Sequence, residues 1–241
     1  MDVLFGGHRM GRRNALIIVI LLIHVICFAD AGFIGEESVT NSISSAVSIF
    51  TEDFEAIADG EDWLNDGDWL GSAGYFEGDS AQAHGGTLSG LVTSTTGGYY
   101  AYRTFTEPTG YIVFDFWLMV DVTTGTVSDI FVVSDGLIGS GTYQSVKMYS
   151  SASGYLQIYA NTTLTNVAAI SADTWTHVEV QVNAAQSDGI GAIYIWVDNT
   201  QYGPYDTYNR LDPAGMDRMG FATDTSSQYW VDDIDVYEGT R

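Results

Sequence analysis

The chain has 241 residues, of which 31 are acidic and 8 basic, giving a formal net charge of −23 near neutrality. That balance argues against nucleic acid as a partner, since binding it needs a basic face to displace counterions, and against anionic membrane surfaces. A single cysteine, Cys27, leaves no internal disulfide to stabilise the fold.

In chain order, the first signal is N-terminal. Arg9, Arg12 and Arg13 precede the apolar run from Ala15 to Ala29, and Ala29-Asp30-Ala31 offers small residues at an A-x-A cleavage site. Charged, apolar and small stretches in that order are the layout of a secretory signal peptide. The apolar run is shorter than the ~20 residues that cross a bilayer, and His24 interrupts it. Residues 1–31 are therefore expected to direct export as a cleaved signal peptide, with an uncleaved signal anchor as the competing reading, and the protein to act as a secreted or cell-surface molecule. Their removal also takes away Cys27. The mature domain must then hold together through its core, a metal or assembly. Its roughly 210 residues suffice for one core burying about 70% of the unfolded surface.

Residues 32–48 are serine-rich without a clear period and read as a leader or linker. From Ile49 to Arg241 the pattern is that of one all-β domain, with short β-branched and aromatic runs separated by Gly, Asp, Asn, Ser and Thr. Near its start, Glu52 alternates with Phe50 and Phe54, which turns a carboxylate toward the interior. The acidic stretch Glu61–Asp68 lacks calcium-loop spacing and reads as a turn. After the strand Tyr99–Phe105 and the turn Pro108-Thr109-Gly110 comes the strongest strand, Tyr111–Val122. Its even positions, Ile112, Phe114, Phe116, Leu118, Val120 and Val122, make one continuous apolar face. Its odd positions, including Asp115 and Trp117, mix aromatics with carboxylates.

The later strands repeat that split. In Gly154–Tyr159, Leu156 and Ile158 oppose Tyr155, Gln157 and Tyr159. In Trp175–Val182, Val178, Val180 and Val182 oppose His177, Glu179 and Gln181. The turn Gln186–Gly189 leads to Gly191–Asp198, where Ile193, Ile195 and Val197 oppose Tyr194, Trp196 and Asp198. The closing strand Tyr229–Tyr237 places Trp230, Asp232, Ile234 and Val236 on one face by simple alternation. The predicted architecture is a two-sheet antiparallel jelly-roll β-sandwich preceded by a signal peptide.

Three of these pieces carry a resemblance. The strand with Trp175, His177, Val178, Val180 and Val182, the run Ile193–Asn199 and the closing run Trp230–Tyr237 together resemble the concanavalin A-like lectin/glucanase superfamily, especially its laminin G-like members. The opening Glu52-Asp53-Phe54-Glu55, with Trp63 and Trp69 downstream, looks like the start of such modules. The resemblance covers roughly residues 50–238 and implies that the closing strand pairs beside the first. That fold hosts lectins, glycosidases, lyases, adhesion modules and coat proteins, so it does not fix an activity. The E-x-D-x-E carboxylate pattern of the superfamily's hydrolases is missing, as is the lyase pattern of Arg-x-Glu, Gln-Ile-His and Tyr-Lys. No catalytic residue is assigned; whether Asp115 and Glu179 meet across a sheet is not legible in the sequence.

If the first and last strands are neighbours, Glu52 and Asp232 are candidate ligands of one Ca²⁺ that staples the chain ends, with Asp53, Glu55 and Asp233 as further contributors. The competing reading has these carboxylates capping loop amides. Trp117, Tyr155, Tyr159, Tyr194 and Trp196 are candidate sugar platforms, joined by Asp115 and Gln157 as hydroxyl partners; Trp63 and Trp69 are weaker candidates. His177 reads as structural, and His84 lies in a loop without a partner motif. The expected function is a non-catalytic carbohydrate-binding or surface-adhesion module whose partner is a polysaccharide or surface glycan. A self-assembling structural subunit, with the serine-rich leader adding a strand to a neighbour's sheet, and a polysaccharide-cleaving enzyme are the alternatives.

Overall fold

The computed structural model describes residues 46–241, apart from 122–127, 137, 139–142 and 224–226. The expected signal peptide and nearly all of the leader lie outside these residues. The first strand begins at Val47, so the last two residues read as leader belong to the domain.

Among the described residues, fifteen antiparallel strands, numbered in chain order, form two sheets. The first sheet runs in the order β13 (Thr200–Tyr205), β12 (Ile193–Val197), β11 (Thr176–Asn183), β6 (Tyr111–Val120), β15 (Ser227–Glu238), β4 (Ser89–Ser94) and β3 (Phe76–Asp79). The second runs β10 (Thr163–Ala169), β9 (Tyr155–Ala160), β8 (Gln144–Ser150), β7 (Ser128–Ser134), β14 (Arg218–Ala222), β5 (Tyr100–Thr104) and β2 (Leu70–Gly71). The opening strand β1 (Val47–Glu52) pairs antiparallel with the C-terminal half of β15, as the resemblance implied. The N-terminal half of β15 pairs with β4 along that same edge. One long strand thus ties two shorter ones to β6.

The period-two pattern is realised in the core. Ile112, Phe114, Phe116, Leu118 and Val120 meet Val178, Val180, Val182, Ile193, Ile195 and Val197 on the inner face of the first sheet, all buried. Phe131, Val133, Val146, Met148, Leu156, Ile158 and Phe221 face them from the second sheet. Tyr229 links the layers: its hydroxyl contacts the carbonyls of Ala222 and Ile130 at 2.6 and 3.1 Å and accepts the Ala222 N–H.

Trp63 and Trp69, weighed as sugar platforms, are 0% and 1% exposed. They pack with Phe54, Phe76 and Phe221 and plug one end of the core. The Trp63 indole fits there because β4 contributes Gly90, where a Cβ would collide with the Trp63 ring and come within 2.7 Å of the Phe54 ring.

A β-bulge between Asp232 and Asp235, with Asp233 at φ 47°, interrupts β15. The inserted residue shifts the alternation by one. Trp230 and Asp232 therefore lie opposite Met119 and Trp117 on the outer face, whereas Ile234 and Val236 turn into the core. The expectation that all four share a face is corrected by this bulge.

Candidate functional site

The residues expected to hold sugar divide between the two sheets. Asp115 and Trp117 on β6, with Tyr194 and Trp196 on β12, lie on the outer face of the first sheet. Tyr155, Gln157 and Tyr159 on β9 lie on the outer face of the second. The two faces look away from each other across the core, so these seven residues do not form one site. On the second sheet Gln157 donates to Asn166, and Tyr159 packs against Tyr149 and Tyr208.

On the first sheet, strand register fixes what meets what. Asp235 lies opposite Asp115, Asp115 opposite Glu179, Glu179 opposite Trp196, and Trp196 opposite Gln201. Three carboxylates on adjacent strands thus form a row that ends at an indole. One oxygen of Asp115, one of Glu179 and a ring nitrogen of His177 lie within 4.8 Å of one another. His177 Nε2 sits 2.6 Å from Asp115 Oδ1 and 3.9 Å from Glu179 Oε1. Asp235 Oδ1 is buried without a hydrogen-bond partner. Burial, then the charge of Asp115, pushes the Asp235 carboxyl above its usual range. Burial with Asp115 and Asp235 does the same to the Tyr237 phenol. The row concentrates negative charge and attracts cations. Asp115, His177 and Glu179 are the one group of three such side chains among the described residues spaced to hold a metal together.

Beside the row lies an open groove of about 340 Å³, lined by Tyr111, Gln181, Tyr194, Trp196, Gln201, Thr240 and Arg241. The tight turn Asp198-Asn199, both residues at positive φ, joins β12 to β13. After β15 the chain folds over the sheet. The Gly239 N–H donates to the Tyr111 carbonyl, and the Arg241 N–H donates to Gln181 Oε1 at 2.9 Å. Alternation places Tyr111, Gln181 and Glu179 on this face, so it carries a sequence signal. Nothing local marks Arg241, which arrives only because β15 ends next to β6.

On the other side of the row, His84 stacks on Trp117 with ring centroids 3.7 Å apart, and Trp117 stacks on His177 at 4.8 Å. Trp175 meets His84 edge-on. Trp117, half-buried, is thus sandwiched between the rings of His84 and His177. The His84 loop is held by carboxylates assigned above to calcium. Asp232, fully buried, accepts the His84, Gly85 and Asp233 N–H groups. Asp233 contacts His84 Nδ1 at 2.8 Å. Glu55 accepts from the N–H groups of Thr87 and Leu88, which hold its carboxyl below the usual range. Asp53 accepts the Glu55 N–H.

Glu52 has different neighbours. It lies opposite Ile234 on the core side of the sheet and accepts from the Phe54 N–H, Trp69 Nε1 and Arg103 Nη1. Burial still pushes its carboxyl upward, against those bonds. Glu52 and Asp232 therefore occupy opposite faces, each saturated by N–H donors, and do not fit one shared calcium ion.

No family model matches the chain, and neither does any curated protein. Solved structures do. A sialidase superimposes with a TM-score of 0.60 at 13% identity, over 81% of this chain and 19% of its own. This chain therefore spans about a fifth of that sialidase. A carbohydrate esterase of the Shiga toxin-encoding bacteriophage phi24B gives 0.56 at 12% identity, over 81% and 100%. The carbohydrate recognition domain of Emp46p gives 0.50 at 8% identity, over 80% and 97%. At such identities the likeness establishes the fold. The chain has a two-sheet antiparallel jelly-roll β-sandwich fold.

Proposed function

We propose that the protein is a carbohydrate-binding module, exported to the cell surface or beyond, whose site is the groove on the outer face of β11, β12 and β13. The observation that carries this reading is the groove itself. Trp196 and Tyr194 present ring faces suited to pyranose stacking, and Gln181, Gln201 and Tyr111 stand beside them as hydroxyl partners. A carbohydrate esterase and a carbohydrate recognition domain among the similar folds support the same class of ligand. The test is affinity electrophoresis of the purified protein through a panel of polysaccharides. Trp196→Ala should weaken retardation about tenfold, the scale of a lost stacking contact and its burial. Tyr155→Ala, on the opposite sheet, should leave it unchanged. Equal retardation of wild type and Trp196→Ala would move the site elsewhere.

A second reading, cleavage of the bound glycan, is favoured by one observation. One oxygen of Asp115 and one of Glu179 are no more than 4.8 Å apart, which places the two carboxyls on the short, retaining side of glycosidase carboxylate spacings and not the wider inverting one. Release of reducing ends by wild type and its loss in Asp115→Asn would establish it. A glycan that is retarded but never shortened would dismiss it.

A further inference from the structure

The groove already holds a cation. The Arg241 guanidinium lies over the Trp196 ring, 4.9 Å from its centroid. It pairs with Glu179 and donates to Asn199 Oδ1 at 2.7 Å. An indole face, a carboxylate and an amide oxygen around one guanidinium make a seat for positive charge. The seat belongs to a more acidic surface than one arginine balances. Glu179, itself 7% exposed, stands opposite Asp115, and Asp115 opposite Asp235, whose Oδ1 has no hydrogen-bond partner. The bases at this row among the described residues are Arg241 and His177. A neutral sugar would stack on the aromatic platform but leave this charge excess unused.

We propose that the groove selects a cationic glycan, a chain of amino sugars bearing free amines, and that Arg241 occupies the ammonium subsite until the ligand displaces it. The proposal rests on the glycan-binding reading and names its ligand class. A pyranose ring covers Trp196 and Tyr194 while its ammonium takes the place of the guanidinium against Glu179. The net charge of −23 draws such a polycation to the surface. A basic peptide would satisfy the carboxylates but offers no flat apolar ring face for the paired aromatics.

The test is calorimetric titration of the full protein, at mildly acidic pH, with two hexasaccharides that differ only in N-acetylation: the glucosamine and the N-acetylglucosamine hexamers. The glucosamine hexamer should bind about tenfold more tightly, the scale of one charge-assisted bond with a cation–π contact. That preference should shrink as salt is raised and vanish in Glu179→Gln. Arg241→Ala, which empties the seat, should strengthen binding of the glucosamine hexamer severalfold. Should Glu179→Gln fail to fold by circular dichroism, the Arg241→Ala arm decides, and no gain there refutes the proposal. Equal binding of the two hexamers, or binding of another glycan but neither hexamer, overturns the charge selectivity and leaves the glycan site standing. Binding of no glycan at all overturns the reading beneath it.

Discussion

Removing the Asp232 carboxylate separates two accounts of how the chain's ends are held. In the structure it accepts three backbone N–H groups, from His84 at 2.9 Å, Gly85 at 3.1 Å and Asp233 at 2.8 Å, and is itself fully buried. Hydrogen bonds to a charged acceptor contribute about 1.5–3 kcal/mol each. Burial pushes the Asp232 carboxyl upward, so part of that gain is already offset, and water can reach the loop amides once the side chain is gone. Asp232→Ala should therefore cost about 3 kcal/mol, which for a domain of roughly 200 residues lowers Tm by about 6–12 °C. Asp232→Asn, which keeps an acceptor, should lose less than half of that. The assay is thermal unfolding of all three proteins with added calcium and with chelator. If loop amides are the partners, the mutant deficit is the same in both conditions. A deficit present with calcium and absent with chelator would restore the calcium staple. A mutant melting within about 1 °C of wild type in both would refute the clamp.

Gly90→Ala should destabilise by about 2 kcal/mol or more, because its Cβ meets the Phe54 ring in a closed core; unchanged urea unfolding would contradict that packing. Tyr229→Phe should cost about 1–3 kcal/mol by leaving the Ala222 and Ile130 groups unpaired inside the sandwich, and loss of less than about 0.5 kcal/mol would mean those groups find other partners. Stability should also rise on mild acidification. Glu52, Asp232 and Asp235 have raised folded values, so each binds its proton more tightly when folded. The stability they confer is full below their unfolded values and is lost as pH rises through the folded ones. Glu55 and Asp188, held low, act the other way at more acidic pH. Tm should therefore be higher near about pH 5 than near about pH 8, and a Tm that instead rises from about pH 5 to about pH 8 would refute this account.

Which residues of β6, β11 and β12 enter the core is legible in the order of side chains alone. Successive side chains of a strand point to opposite faces, and in the described parts of these strands nothing disturbs that local rule. That the first and last strands pair was implied by the resemblance and not by the residues of either strand, and β1 and β15 do pair. Which aromatics share a surface is not legible in that order and depends on how the strands pair. Tyr155 and Tyr159 look as exposed and sugar-like in sequence as Tyr194 and Trp196, yet β9 and β12 belong to different sheets. Sheet membership is a long-range pairing that alternation does not encode. The bulge at Asp233 is likewise invisible to a period-two reading, because one inserted residue reverses every later face while the composition stays the same. It moved Asp232 from the expected interior to the outer face, beneath the His84 loop. The acidic row needed three strands distant in sequence to fall into register, and Arg241 reached the groove only because β15 lies beside β6.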